Sequence, residues 1–366
     1  MRGSPLRRKG CRRQYVGGVL VFPGTAMLAL WLWLAHGNGP GGSPDSESIV
    51  TLFPTRSFVL TDPALEPARR RVLAGPYVPL PAQFTLRVNG EPVAYAVAAV
   101  CACPGEDVSI GLTGLATHDT ELRMSAGEIV EKGETHWVWR APEQSGIYAV
   151  RVTPSGSDRM THLNVFVLHP FDQVKNGQLN GFRIGSYPRR PLRGKRAYVP
   201  PEGFIEVNAE TENVLVSPHF ALGQFRCKQV GDRAYIALST PLLRKMEALL
   251  DAVNRAGYCT PTLTVMSGFR TPFYNASIGN ETGYSRHLWG DAADVFVDTN
   301  RDGVMDDLNG DGKVSLADAH VLVRLAHVLE EGAEDGIMPG GLAAYRATAA
   351  HGPFVHLDTR GHAARW

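Results

Sequence analysis

Apolar positions in this chain follow three different rhythms. From Tyr15 to Gly37, "YVGGVLVFPGTAMLALWLWLAHG" runs without an acid or base other than His36. That is about the length, roughly 20 residues, needed to cross a bilayer as a helix. From Ser48 to Pro170 apolar and polar residues alternate in short runs. "QFTLRVNG", "THWVWRAP", "GIYAVRVTP" and "HLNVFVLHP" read as strands broken by Gly, Pro and Asn. After Leu238 the period lengthens. "LSTPLLRKMEALLDAVNRAG" predicts a helix capped by Thr240, with Pro241 at its first position and Gly257 at its end. Leu242, Leu243, Met246, Leu249, Leu250 and Val253 form its apolar face. "TPTLTVMSGFR", "DAADVFVD" and "PFVHLDTRG" predict strands, and "ADAHVLVRLAHVLEEG" a second helix.

These rhythms divide the chain into a basic segment at 1–14, a transmembrane anchor at 15–37 and a flexible linker at 38–47. An all-β sandwich at 48–170, a connecting region at 171–237 and an α+β domain at 238–366 follow. The block of Arg and Lys in "MRGSPLRRKGCRRQ" orients the anchor with its N-terminus in the cytoplasm, so a single-pass protein with a periplasmic domain is expected. A cleaved signal peptide is the rival reading, but its apolar core would be shorter, roughly 7–15 residues. The phrase W-x-A-P-x-x-S-G-x-Y-x-V at 139–150 resembles the late strands of an immunoglobulin-like sandwich, with Tyr148 near a corner. Such a domain serves as a spacer or binding module. Hydrophobic content of 44% with 20% charged residues describes globular protein, and a net charge of +1 points away from nucleic acid. With an external placement, Cys101, Cys103, Cys227 and Cys259 could pair in three ways.

Three stretches carry chemistry: "SGFRTP" at 267–272, "SRHLWGDAAD" at 285–294 and "FVHLD" at 354–358. The pattern S-x-H-x-x-G-x-A-x-D, followed distally by H-x-D, resembles the zinc D-alanyl-D-alanine metallopeptidases of cell-wall metabolism, among them the murein endopeptidases. The resemblance covers about 238–366 and implies a hedgehog-like α+β catalytic domain. It also implies His287, Asp294 and His356 as zinc ligands, with Arg270 holding a substrate carboxylate or oxyanion and Ser285 touching substrate or its own loop. Two imidazoles and one carboxylate independently suit zinc and leave a fourth position open. Part of the family carries an acid three residues before the last histidine, where this chain has Pro353. Asp358, two residues past His356 and facing the same side of a strand, is the carboxylate available as general base or as an orienting group. His351 and His362 stand in reserve.

An acidic insertion at 298–318 follows Asp294. Asp307, Asn309, Asp311, Lys313 through its carbonyl, Ser315 and Asp318 have the spacing of a calcium loop, with Gly312 at the turn. Asp298, Asn300, Asp302, Gly303 and Asp306 begin an overlapping loop whose twelfth position is Asn309, so both cannot be standard sites. The expected function is a zinc-dependent peptidoglycan hydrolase, a DD-carboxypeptidase or murein endopeptidase acting on D-Ala-containing stem peptides. The alternative is an anchored wall-binding protein that recognises such peptides without cutting them.

Overall fold

The structure is a computed structural model that describes residues 77–280, 282–332 and 336–366. The segments 1–14, 15–37 and 38–47, the expected anchor among them, lie outside the described residues. Among the described residues no helix is long and apolar enough to cross a membrane. The two longest have 16 residues each and are interrupted by charges. A single-pass membrane anchor, as expected from the sequence, is therefore not supported by the described helices.

Alternation in the first half builds two facing sheets. One comprises β1 (Thr85–Val88), β2 (Glu91–Pro92), β4 (Asp107–Thr113), β6 (Glu128–Lys132) and β7 (His136–Arg140), in the order β2-β1-β4-β7-β6. The other comprises β3 (Val97–Ala102), β5 (Thr120–Met124), β8 (Gly146–Pro154) and β9 (Thr161–Val167), in the order β3-β9-β8-β5. In β4 the inward residues Val108, Ile110 and Leu112 alternate with polar neighbours and meet Trp137, Trp139, Val150 and Leu163 in one core. Trp139 satisfies its buried indole N–H on the carbonyl of Ala126 at 3.0 Å. Tyr148 turns its hydroxyl back to the carbonyl of Gln144 at 2.9 Å, the local bond a chain corner needs.

Every residue of β9 is buried, because its second face is covered too. Phe166 enters the main core of the rest of the chain, and the Asn164 amide donates to the carbonyl of Leu215 at 2.8 Å. The sandwich is thus not a detached spacer. Residues 171–237 are likewise not an extended connection. They supply β13 (Gly203–Val207) and β16 (Ala234–Ile236), which join β10 (His169–Pro170) in one small sheet with two hairpins beside it. The hairpins are β11 (Gln178–Leu179) with β12 (Phe182–Arg183), and β14 (Leu215–Ser217) with β15 (Phe220–Ala221). Phe204, Phe220, Phe225 and Tyr235 are fully enclosed there.

The last third carries helices α1 (Thr240–Arg255), α2 (Pro272–Ser277) and α3 (Leu316–Glu331) with β17 (Thr264–Ser267), β18 (Ala292–Phe296), β19 (Gly341–Tyr345), β20 (Phe354–Asp358) and β21 (Ala364–Arg365). The sheet order is β17-β18-β20-β19-β21, antiparallel except for β19 with β21. All six predicted apolar residues of α1 are buried. Its cap is Ser239, one residue before the expected Thr240, with Pro241 in the first turn; the chain leaves the helix through Gly257 at φ 95°.

The expected α+β metallopeptidase class, hedgehog-like, is corrected by these elements. The described residues are β-rich with few helices, because only two segments sustain a helical apolar stripe over more than two turns. Elsewhere Pro, Gly and Asn cut the chain into strands of two to nine residues. Cys101, Cys103 and Cys227 are free thiols, so none of the three two-bridge pairings forms.

Candidate metal centre

Two adjacent strands bring two of the expected ligands together. Asp294 lies on β18, between β17 and β20, directly opposite His356 on β20 and Ser267 on β17. Directly opposed residues of an antiparallel pair share a face and stand within side-chain reach. His287 arrives separately, on a 3-10 turn over Arg286–Trp289 that ends at Gly290 in the left-handed region, φ 69°. A Cβ at 290 would also collide with the carbonyl of Ala237, so glycine is needed both for the turn and for its close approach. One ligand atom from each of His287, Asp294 and His356 lies within 4.8 Å of the other two, and all three residues are buried.

The hydrogen bonds around these residues determine which atoms are free. His287 Nδ1 lies 2.7 Å from the carbonyl of Gly268, which can only accept, so Nδ1 carries the proton. Nε2 then presents its lone pair to Asp294 Oδ1 at 3.3 Å. Burial pushes the His287 imidazole toward its neutral form. Two acceptors facing each other in a buried place repel unless a cation lies between them. On the other side, His356 Nδ1 is 2.9 Å from the same Oδ1, while Nε2 faces Asp358 Oδ2 at 3.1 Å. Asp294 Oδ2 is turned away and accepts from Arg270 Nη2 at 2.7 Å.

Burial works against charge on Asp294, yet the histidines on either side of it hold its carboxyl far below the ordinary range. Burial likewise disfavours a charged His356, but hydrogen bonds to Asp294 and Asp358 override it and lift the imidazole to about 9. His287 Nε2, Asp294 Oδ1 and His356 Nδ1 fit a metal ion by donor type and by orientation. Two imidazoles and a carboxylate suit zinc and also iron(II).

Asp358 is placed to orient rather than to take a proton from substrate-side water. It is fully enclosed. Besides His356, its carboxylate accepts the N–H of Gly341 at 2.8 Å, the N–H of Arg360 at 3.1 Å and the Arg360 guanidinium at 2.9 Å. Its backbone carbonyl accepts from the buried Lys245 ammonium at 2.7 Å, and Lys245 pairs with Glu330. These bonds fix the His356 tautomer through Nε2–H and leave Nδ1 toward the centre. Arg270, expected to hold substrate, is committed to Asp294 and to the Ser267 hydroxyl at 2.8 Å. Ser285 precedes the His287 turn; its carbonyl accepts from Leu288 N–H at 3.1 Å, and its hydroxyl caps nothing. His351 packs edge-on against Phe354, and His362 is exposed beside Lys195; neither joins the cluster.

The acidic insertion is organised but separate. Asp307 accepts the N–H groups of Gly310, Asp311 and Gly312 at 2.8, 3.2 and 2.7 Å, and Asp298 those of Asp302 and Gly303. Asp311 accepts from Lys313 N–H, and Asn309 from Asp311 N–H. Asp318 is fully buried, with Oδ1 on the N–H groups of Leu308 and Asn309 and Oδ2 on that of Ser315. Among the described residues, the acids of this loop do not converge as the His287–Asp294–His356 group does.

Several residues of the centre escape sequence reading. Lys245 sits inside the apolar stripe of α1, and a cation in that stripe was the signal. Gly340 and Gly341 bring β19 against Asp358, where a Cβ on either would strike it. The paired glycines of "PGG" mark such an approach. Arg360 carried no pattern, and the Trp366 ring lies 5.4 Å from that of His356. No family model, curated protein or solved structure matches the chain.

Proposed function

We propose that the protein is a zinc-dependent hydrolase of peptidoglycan stem peptides containing D-alanine. One observation carries this reading. His287, Asp294 and His356 converge with their lone pairs turned inward, in the order and spacing that the D-alanyl-D-alanine metallopeptidases use for zinc. Zinc held there would supply a Lewis acid that polarises a scissile carbonyl and eases deprotonation of water. The chain's own residues do the remainder. Gly268 and Asp358 hold the two imidazoles in the coordinating tautomers, and Arg270 keeps one oxygen of Asp294 away from the open side. The exposed indole of Trp366 borders His356, where a peptide would pass.

A second reading is favoured by one feature. The carboxylate expected to act as base, Asp358, is enclosed and saturated with donors. That suits a protein that recognises D-Ala peptides without cutting them. Metal analysis of the purified chain, then incubation of the zinc-loaded protein with muropeptides with and without chelator, separates the two. Chelator-sensitive release of D-alanine or of uncrosslinked peptides supports the hydrolase. Intact muropeptides at full zinc occupancy reject it, and saturable binding of the same muropeptides would then establish the recognition module.

A further inference from the structure

The segment "FRIGSYPRRPLRGKRAYVP" at 182–200 holds six cations, Arg183, Arg189, Arg190, Arg193, Lys195 and Arg196, and the stretch 181–201 contains no Asp or Glu. All six are exposed. The backbone beneath them is not loose. Tyr187 donates its hydroxyl to the carbonyl of Leu288 at 2.7 Å, and Trp289 its indole N–H to Val199 at 2.8 Å. Arg286 donates to the carbonyl of Ala197 at 2.8 Å, and Tyr284 to that of Arg190 at 3.2 Å. These four bonds fasten the segment to residues 284–289, the turn that carries His287. At its far end Lys195 Nζ lies 3.4 Å from His362 Nε2, two residues past Arg360 and its partner Asp358. The cations therefore form a rim along one side of the metal centre.

We infer that this rim binds the acidic part of a peptide substrate, so that carboxylates on the 183–196 side place the scissile bond over His287, Asp294 and His356. The location of the scissile bond rests on the hydrolase reading; the binding preference does not. Six like charges without a carboxylate in their own segment raise the local potential on a chain whose net charge is only +1. Five of the six are arginines, whose guanidinium forks pair with carboxylates through two parallel bonds. Arg193 holds φ 51°, a left-handed conformation that glycine or asparagine adopts at less cost. Two acids beside the segment's anchor points are already committed, Asp291 to Arg286 and Asp358 to Arg360. An incoming carboxylate thus finds donors along a segment that has no carboxylate of its own.

The test compares a fluorescein-labelled octapeptide containing four glutamates with its glutamine counterpart, by anisotropy on the full-length zinc-loaded protein. Exposed charge pairs are individually weak and screened by salt, so three of them together change affinity about tenfold at low ionic strength. The glutamate peptide should bind about tenfold tighter. That preference should vanish in Arg189→Gln/Arg190→Gln/Arg193→Gln and in 0.5 M salt, with the zinc content of the triple variant equal to wild type. Equal affinity for the two peptides, or an undiminished preference in the triple variant, overturns the inference. So does oligothymidylate binding as tightly as the glutamate peptide, which would mark a general polyanion surface. Mass spectrometry of the same mixtures reads hydrolysis separately, and a glutamate preference without cleavage sinks only the hydrolase reading.

Discussion

A single proton on His287 decides what the centre can hold. Gly268 fixes it on Nδ1, and Nε2 is left facing an acidic oxygen. Replacing the ring, in His287→Ala, should abolish stoichiometric metal binding while the melting temperature of the metal-free chain shifts little; retained metal would put the centre elsewhere. Asp358→Asn tests the orienting role. It should weaken zinc affinity by about 10–100-fold through the misdirected His356 ring. Unchanged zinc affinity with lost turnover would instead make Asp358 the proton acceptor. His162 gives a pH prediction away from the centre. Its burial pushes the imidazole down to about 4, despite its bond to Asn164. The unfolded chain takes up that proton near pH 6.5, the native chain only near 4, so the contribution is present above 6.5 and lost as pH falls between the two. Its size is on the order of 3 kcal/mol. Denaturant titrations across this window should show a steeper loss for wild type than for His162→Gln, and parallel curves would refute it. At this scale the candidate ligands were legible, because His287, Asp294 and His356 sit in short motifs. Their supports were not, since a backbone carbonyl such as that of Gly268 has no sequence signature.

Elements were legible where one side-chain period persisted. The stripe of α1 spans four turns and reads cleanly, whereas β19, "GLAAY", has small side chains that fit either period and is silent. Its assignment comes from long-range pairing with β20, which carries His356. The start of α3 was marked by acidic spacing that sequence alone read as calcium coordination. In the structure Ser315 accepts from Ala317 N–H and Asp318 reaches back to Ser315 N–H, a reciprocal cap. Ser315→Ala should cost about 1 kcal/mol in urea unfolding; no change would mean that Asp318 caps alone. Calcium at 307–318 remains a separate proposal from the same residues. Millimolar calcium should raise the melting temperature by mass action, and Asp311→Ala should remove the increase. A flat response in the wild type leaves a loop held by its own turns.

For the whole molecule, the sandwich was visible in its alternation, but its relation to the rest was not. Sequence separates the chain after 170 and after 237, and the inferred consequence was a spacer on a catalytic domain. Pattern cannot show that β9 presents Phe166 and Asn164 to a second core, because His162 and Asn164 on that face read as the polar, solvent side of an alternating strand. Calorimetry should accordingly give one unfolding transition for the described part of the chain, and two resolved peaks would restore independent domains. The double burial of β9 also sets a clock. Its amides are sealed by β3 and β8 at the edges and by two cores on the faces. Local fraying of either core leaves the other in place, so deuterium can reach the middle of the strand only when both yield. Leu163 and Val165 should therefore exchange last, at the rate of global opening, and a protease should find no partially opened form to cut there.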